Sequence, residues 1–163
     1  MRKVIVNATP LIVLSHIGHL TLLQSLYTKV LIPGAVYREV CAKPDSICRQ
    51  INNNMDWIQI CDISHPAERK IYQAKLHAGE VEVMILARET KADLLIIDDN
   101  AAKKTAKYLG FTVTGTLGVL LKARQTGAIR EVRPLLQAIR ENGFYISQSV
   151  EKMVLSMANE PLK

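Results

Sequence analysis

Short apolar runs without polar alternation most strongly limit how this chain folds. Such runs are typical of strands buried on both faces, because a strand with one solvated face alternates apolar and polar residues. Segments with helical patterning separate successive runs, and this alternation predicts an α/β fold with a mostly parallel sheet covered by helices on both faces. The predicted strands are residues 4–6, 30–32, 57–60, 94–97 and 111–113.

One predicted helix, residues 80–89 after Gly79, is apolar almost all round, as expected of a helix at the centre of a fold. Thr9 is expected to cap the first helix, with Pro10 at its first position. We expect a single domain over residues 1–163 with a helical C-terminal part from about residue 131, because 48% hydrophobic content over 163 residues supports one core. The other predicted helices are 11–17, 19–27, 36–40, 101–109, 117–125, 134–141 and 149–157.

Composition restricts the compartment and the partners. No apolar stretch approaches the roughly 20 residues that span a bilayer, so we expect a cytoplasmic protein without membrane contact. Cys41, Cys48 and Cys61 lack the paired spacing of a zinc site and are expected to be thiols, not a disulfide framework. The net charge of +6 comes from residues 101–163, where ten Lys and Arg stand against four Asp and Glu. That excess fits either a phosphate-binding surface or an ordinary solvated face.

Polar residues follow three of the predicted strands. Asn7 follows the first strand, Asp98 and Asp99 follow the fourth, and Thr114 and Thr116 follow the fifth. In an open parallel sheet, ligands gather beyond the carboxyl ends of the strands. These residues are therefore expected to lie at one site.

Two glutamates complete the candidate site. Glu39 lies one turn inside the helix after Pro33, and Glu80 lies in the first turn of the apolar helix. Adjacent carboxylates repel unless a cation or protons neutralise them, and hard oxygen ligands are those that Mg²⁺ or Mn²⁺ prefers. A nuclease would use such a cation to activate water and to stabilise charge on a phosphate.

Each candidate also has a structural explanation. The aspartates at 98 and 99 could cap the following helix, and Glu80 could favour the positive start of its own helix. Glu39 could be solvated beside Arg38, and Asn7 could satisfy the turn after its strand. Capping alone does not require four separate elements to direct oxygen ligands at one edge, so the set as a whole favours a functional site.

Five segments of the sequence resemble the PIN-domain family, in particular a branch of small prokaryotic members related to toxin–antitoxin ribonucleases. The resemblance runs over nearly the whole chain. The segments are Val-Ile-Val-Asn-Ala-Thr-Pro-Leu-Ile, Ile-Pro-Gly-Ala-Val-Tyr-Arg-Glu-Val, Gly-Glu-Val-Glu, Leu-Leu-Ile-Ile-Asp-Asp-Asn-Ala-Ala and Thr-Gly-Thr-Leu-Gly-Val-Leu.

This resemblance implies a three-layer α/β/α sandwich and a metal-dependent endoribonuclease that uses Mg²⁺ or Mn²⁺. Its catalytic and metal-site acids would be Glu39, Glu80, Asp98 and Asp99, with Asn7 as a further metal ligand and with Thr9 and Thr116 as supporting residues. Asn7 departs from the family pattern, in which the first acid is usually aspartate. An amide oxygen can ligate Mg²⁺, but the lost charge should weaken metal binding.

The resemblance also implies partners. RNA is the expected substrate, with an antitoxin-like protein as a second candidate partner. Lys103, Lys104 and Lys107 follow the acidic strand exit and are candidates for neutralising RNA phosphates. Family members often pair, so we expect a homodimer. The C-terminal helix offers an apolar stripe that is either a dimer surface or plain core, formed by Val150, Met153, Val154 and Met157.

Two other functions are also compatible with the sequence. A scaffold whose Asn7 weakens metal binding would bind RNA or a protein without cutting. A nucleotide-binding protein of the wider doubly wound class would be stabilised by a nucleotide, not by a metal.

Overall fold

A computed structural model describes residues 2–43 and 46–162. The strands are β1 (Val4–Val6), β2 (Val30–Ile32), β3 (Ile58–Ile60), β4 (Leu94–Ile96) and β5 (Val113–Thr114). The helices are α1 (Ala8–His16), α2 (Leu22–Tyr27), α3 (Gly34–Cys41), α4 (Ile47–Asn52), α5 (Arg69–Tyr72), α6 (Ala78–Thr90), α7 (Asn100–Tyr108), α8 (Thr116–Gln125), α9 (Arg133–Glu141) and α10 (Gln148–Met157). A 3₁₀ turn, Pro66–Glu68, precedes α5.

The strands of the described chain form one sheet in the order β3-β2-β1-β4-β5, and every pair is parallel. Val6 lies opposite Ile96, and the backbone N–H of Asn7 donates to the Ile96 carbonyl at 3.0 Å. The chain therefore leaves β1 and β4 side by side. The predicted parallel α/β sheet is confirmed, and the carboxyl ends of all the strands lie at one edge.

Burial explains the apolar runs. Ile5 and Leu95 in the two central strands are fully buried, and so are Val83, Met84 and Ile85 of α6. Helix α6 packs against β1 and α3, whereas α8 packs against α2 and α10. The helices flank the sheet as the predicted three-layer α/β/α sandwich requires. The contact between α3 and α6 brings Glu39 and Glu80 to neighbouring helix surfaces.

The start of α1 differs from the prediction. The helix begins at Ala8 with Asn7 at the N-cap position, so the expectation that Thr9 caps it, with Pro10 at its first position, is wrong. Thr9 and Pro10 are instead the second and third helical residues. A proline fits there because the first N–H groups of a helix have no intrahelical partner.

Two short helices are not predicted by the sequence pattern. Helix α4 buries Ile47 and Ile51 within six residues, and α5 buries only Tyr72 within four. So few apolar positions do not define a helical period. Strand β5 also lies later than predicted, at Val113–Thr114, where the Leu95 N–H donates to the Thr112 carbonyl and the Ile97 N–H donates to the Thr114 carbonyl.

The cysteines correct a further expectation. Cys41 and Cys48 form a disulfide with their Cα atoms 4.6 Å apart, and Cys61 is free. The expectation of three thiols is wrong for this pair, because α3 and α4 pack against each other and place two residues that are seven apart in sequence side by side. Their spacing alone did not indicate that contact.

Helix α10 divides the C-terminal apolar stripe. Val154 is 1% exposed and belongs to the core, whereas Met153 and Met157 are each 55% exposed. In the described part of the chain, none of the helices combines the length and the apolar character needed to cross a membrane.

Candidate functional site

Asn7 lies at the carboxyl end of β1, where the sheet edge meets α1. Its side chain is 3% exposed, and its Oδ1 has no hydrogen-bond partner among the described residues. It also makes no capping hydrogen bond to the helix that it precedes. A buried carbonyl oxygen without a partner is costly. The turn-stabilising explanation for Asn7 therefore leaves this oxygen unexplained.

Glu39 approaches the same point from α3, across the space above Gly79. A Cβ atom on Gly79 would lie 2.7 Å from Glu39 Oε1 and 3.6 Å from Asn7 Oδ1. The absent side chain at Gly79 thus leaves a gap between a carboxylate oxygen and an amide oxygen. A shallow cavity of about 480 Å³ next to this gap is lined by Arg38, Glu39, His77 and Gly79, among others.

Glu80 is held at the start of α6. Its Oε1 accepts from the His77 backbone N–H at 3.3 Å, and its Oε2 lies 3.2 Å from the His77 ring Nε2. Burial raises the pKa of the Glu80 carboxyl above its ordinary value, the His77 ring and backbone oppose the rise, and the charges of Asp99 and Glu39 add to it. Glu80 therefore stabilises the start of its helix and lies within electrostatic range of two further acids of the predicted set, Asp99 and Glu39.

Asp98 and Asp99 have different roles after β4. The Asp99 carboxylate accepts from the Ala102 N–H at 2.9 Å and so caps α7, as the structural explanation proposed. Asp98 instead accepts two hydrogen bonds from Thr116, at 2.8 Å from the backbone N–H and at 2.6 Å from the hydroxyl. Asp98 is consequently fixed across the sheet edge, against the start of α8.

Gly115 allows this arrangement. A Cβ atom there would lie 2.6 Å from Asp98 Oδ1 and 3.1 Å from Lys103 Nζ. Asp98 Oδ1 and Lys103 Nζ thus both lie beside Gly115, whereas Lys104 and Lys107 are exposed on α7. Of the three predicted phosphate-binding lysines, the structure brings only Lys103 to the acids.

Thr9 shares a second cavity with Asp98 and Thr116. The cavity measures about 260 Å³, and its lining includes Phe144 and Tyr145 from the loop between α9 and α10. Thr9 is exposed and thus contributes to the surface of this cleft. The sequence pattern did not indicate that the α9–α10 loop reaches the site.

A family model described as a PIN domain matches residues 3–160. The chain belongs to the PIN-domain family. Membership places it in a nuclease-type family and confirms the resemblance of the five sequence segments. No individual characterised protein matches the chain.

In this PIN domain, the charges of Glu39 and Asp99 act on Glu80, but the acidic side chains of the described residues do not form a tight group. Across residues 2–43 and 46–162, no three His, Cys, Asp or Glu side chains are grouped tightly enough to hold a metal ion. The oxygens that fit a hard cation best are those of Asn7 and Glu39, because Asn7 Oδ1 is buried without a partner and faces Glu39 across Gly79. Glu80 and Asp99 add negative charge nearby.

Glu82 is a site-supporting residue that sequence reasoning missed. It is 3% exposed, accepts from the Ala35 N–H at 3.0 Å, and forms an ion pair with Arg69 at 2.7 Å. These contacts tie the start of α3 to α6 and so hold Glu39 near Glu80. The signal available in the sequence was its place in the Gly-Glu-Val-Glu segment, directly after Glu80 and Val81. His77, whose ring Nε2 lies 3.2 Å from Glu80 Oε2, is a further residue of the site that sequence reasoning missed.

Proposed function

We propose that this PIN domain is an endoribonuclease that depends on Mg²⁺ or Mn²⁺. The observation that carries the proposal is the unpartnered oxygen of Asn7 beside the Glu39 carboxylate. Asn7 and Glu39 would hold the cation, with Glu80, Asp98 and Asp99 supplying the remaining negative charge. When bound, the cation would supply Lewis-acid stabilisation of phosphate charge and would acidify a bound water.

The chain's own residues provide positioning. Thr116 fixes Asp98 through two hydrogen bonds, so this carboxylate keeps one orientation at the cleft. Lys103, beside Asp98, would neutralise a phosphate of the substrate. Burial and the charges of Asp99 and Glu39 raise the pKa of Glu80, and a cation bound nearby would favour its ionised form.

The decisive experiment is cleavage of a mixed structured RNA with Mn²⁺, with Mg²⁺ and with chelator. The native chain is compared with the double variant Asp98→Asn/Asp99→Asn, in which asparagine preserves the cap of α7. We expect cleavage that needs metal, disappears in the double variant, and leaves 5′-phosphate and 3′-hydroxyl ends. Cyclic phosphate or 3′-phosphate ends would reject the mechanism, and equal cleavage by the double variant would reject the site.

A non-cutting scaffold is the second candidate. It is favoured by Asn7, which lacks the charge of an aspartate, and by the absence of a tight group of three acidic or histidine ligands in the described residues. Asn7→Asp separates the two candidates. If the missing charge alone prevents catalysis, Asn7→Asp should bind Mn²⁺ more tightly by calorimetry and should gain metal-dependent cleavage. Unchanged metal affinity would exclude that explanation.

We also propose that the chain pairs with itself and, if it is a toxin, with an antitoxin-like protein. Met153 and Met157 form an exposed apolar patch on α10, which suits a protein contact. Sedimentation of the native chain and of Met153→Ser/Met157→Ser at micromolar concentration tests the pairing. A native monomer would remove the homodimer from the proposal.

A further inference from the structure

The cleft beside Asp98 is lined by both polar and aromatic side chains. The polar groups are those of Thr9, Asp98 and Thr116, and the aromatic rings are those of Phe144 and Tyr145. Tyr145 is 88% exposed although it lies at the rim of a cavity. Core packing explains the buried aromatic residues of this chain, but it does not explain Tyr145.

The loop that carries Tyr145 is fixed by its neighbours. The Phe144 N–H donates to the Ile139 carbonyl at 3.2 Å, and the Phe144 ring makes an edge contact with His16, with ring centroids 5.8 Å apart. Arg140 donates to the Ile146 carbonyl at 2.8 Å. Both residues flanking Tyr145 are thereby anchored, so the backbone that carries the tyrosine needs little ordering when a ligand binds.

Size and charge restrict what the cleft accepts. Its volume of about 260 Å³ lies below the range of about 300–1,000 Å³ of typical small-molecule pockets, so it suits one flat ring system and not a larger ligand. Lys103 does not line the cleft itself, but its Nζ lies beside Gly115, as does the carboxylate of the cleft residue Asp98, and residues 101–163 carry the whole positive excess of the chain. An aromatic face beside a cation matches a nucleotide, whose base stacks while its phosphate is neutralised.

We propose that this cleft is a base subsite, in which one unpaired nucleobase of RNA stacks on Tyr145 next to the acid site. The proposal rests on the proposed function for its choice of RNA, and it narrows the substrate to RNA with at least one unpaired base at the cut. Stacking is tolerant of base identity because every base has an aromatic face. The subsite therefore selects unpaired structure and not a particular sequence.

Binding of a fluorescein-labelled 12-nucleotide single-stranded RNA in chelator tests the subsite without cleavage. Loss of one stacking contact weakens nucleic-acid binding by about 5- to 100-fold, so Tyr145→Ala should raise Kd within that range, whereas Tyr145→Phe should not change it. Tyr108→Ala is the matched control, because Tyr108 is 90% exposed but lies on α7, outside this cleft. Equal weakening by Tyr145→Ala and Tyr108→Ala would overturn the proposal.

Tyr145→Trp adds a direct readout of stacking. The native tryptophan, Trp57, is 3% exposed, so an exposed indole at 145 can be followed separately by its emission. We expect the single-stranded RNA to quench this emission, and an otherwise identical abasic ribose-phosphate chain to leave it unchanged. Quenching of the same extent by the abasic chain would overturn base stacking.

The outcomes of these experiments distinguish the base-subsite proposal from the nuclease proposal. Normal metal-dependent cleavage with an unchanged Kd for Tyr145→Ala would overturn the subsite and leave the nuclease proposal standing. Weakened binding by Tyr145→Ala in a chain that never cuts would support the subsite and reject the nuclease. Failure of the native chain to bind single-stranded RNA would overturn both, and a change of oligomeric state in Tyr145→Ala would assign the cleft to protein pairing instead.

Discussion

Asn7 Oδ1 and Glu39 Oε1 face each other across the space that Gly79 leaves open, 3.6 Å and 2.7 Å from where an alanine Cβ would stand. Two chain segments 32 residues apart thus present hard oxygen ligands to one gap at the carboxyl edge of the sheet. The amide oxygen is buried and without a hydrogen-bond partner in the described structure, so a cation in this gap would supply the partner that Asn7 Oδ1 lacks.

Gly79→Ala tests whether that gap is functional. The new methyl group would displace the mobile end of Glu39, while alanine in the first turn of α6 gains up to about 1 kcal/mol of helix propensity. We expect an unchanged or raised melting temperature together with Mn²⁺ affinity weakened by about tenfold or more. Calorimetry and thermal unfolding on the same sample measure both effects. Glu39→Gln should weaken Mn²⁺ similarly, and unchanged affinity in Gly79→Ala would show that the gap holds no cation.

Substitution of Asp98 and substitution of Asp99 should affect different properties, because Asp99 caps a helix and Asp98 does not. Asp99→Ala removes the acceptor for the Ala102 N–H and should destabilise the protein by about 1 kcal/mol, whereas Asp99→Asn should leave stability unchanged. Asp98→Asn keeps an acceptor for the Thr116 N–H and should abolish cleavage with little loss of stability. Chemical denaturation and RNA cleavage give the two readouts. A large stability loss in Asp98→Asn would assign that residue a structural role.

Glu89 should make stability depend on acid pH. Burial alone would raise the pKa of Glu89, but hydrogen bonds from the Ser64 N–H, the His65 ring and the His65 N–H outweigh burial and lower it below its ordinary value of 4.5. A carboxyl with a lowered folded pKa stabilises the fold above the unfolded pKa and loses that contribution as pH falls through the folded pKa. The free energy of unfolding of the native chain should therefore exceed that of Glu89→Gln by about 1–2 kcal/mol at pH 7. This difference should be lost as the pH falls below about 4.5.

Denaturant unfolding at a series of pH values measures that difference. Glu131→Gln, at an exposed glutamate, is the matched control and should track the native chain at every pH. A Glu89→Gln stability gap that is constant between pH 3 and pH 7 would contradict the predicted titration.

The disulfide between Cys41 and Cys48 should leave one titratable thiol, Cys61, when the protein is purified without reductant and unfolded. Closing so short a loop restricts the unfolded chain, and we expect reduction to lower stability by about 2–3 kcal/mol. Thiol titration in denaturant and unfolding with and without reductant check both statements. Cys61→Ser should remove the remaining thiol without changing stability, and three titratable thiols in the native chain would show that the bridge does not form.

The sequence by itself determined the layers of this protein. Continuous apolar runs such as Val4–Val6 and Leu94–Ile96 require burial on both faces. The helical segments between these runs predict a parallel sheet that is covered by helices. The same rule indicated the carboxyl edge as the place for Asn7 and Asp98, because parallel strands all end there. Short helices such as α4 were not predicted, because two buried residues do not define a helical period of hydrophobicity.

Only the tertiary structure decided how the candidate residues divide their roles. Sequence treats Asp98 and Asp99 alike, yet the turn after β4 directs Asp99 into its own helix and Asp98 across to Thr116. Packing between distant segments also set the Asn7–Glu39 gap and brought Tyr145 to the cleft. Local patterning encodes which face of an element is buried, but the direction of a single side chain depends on neighbours that only the folded chain supplies.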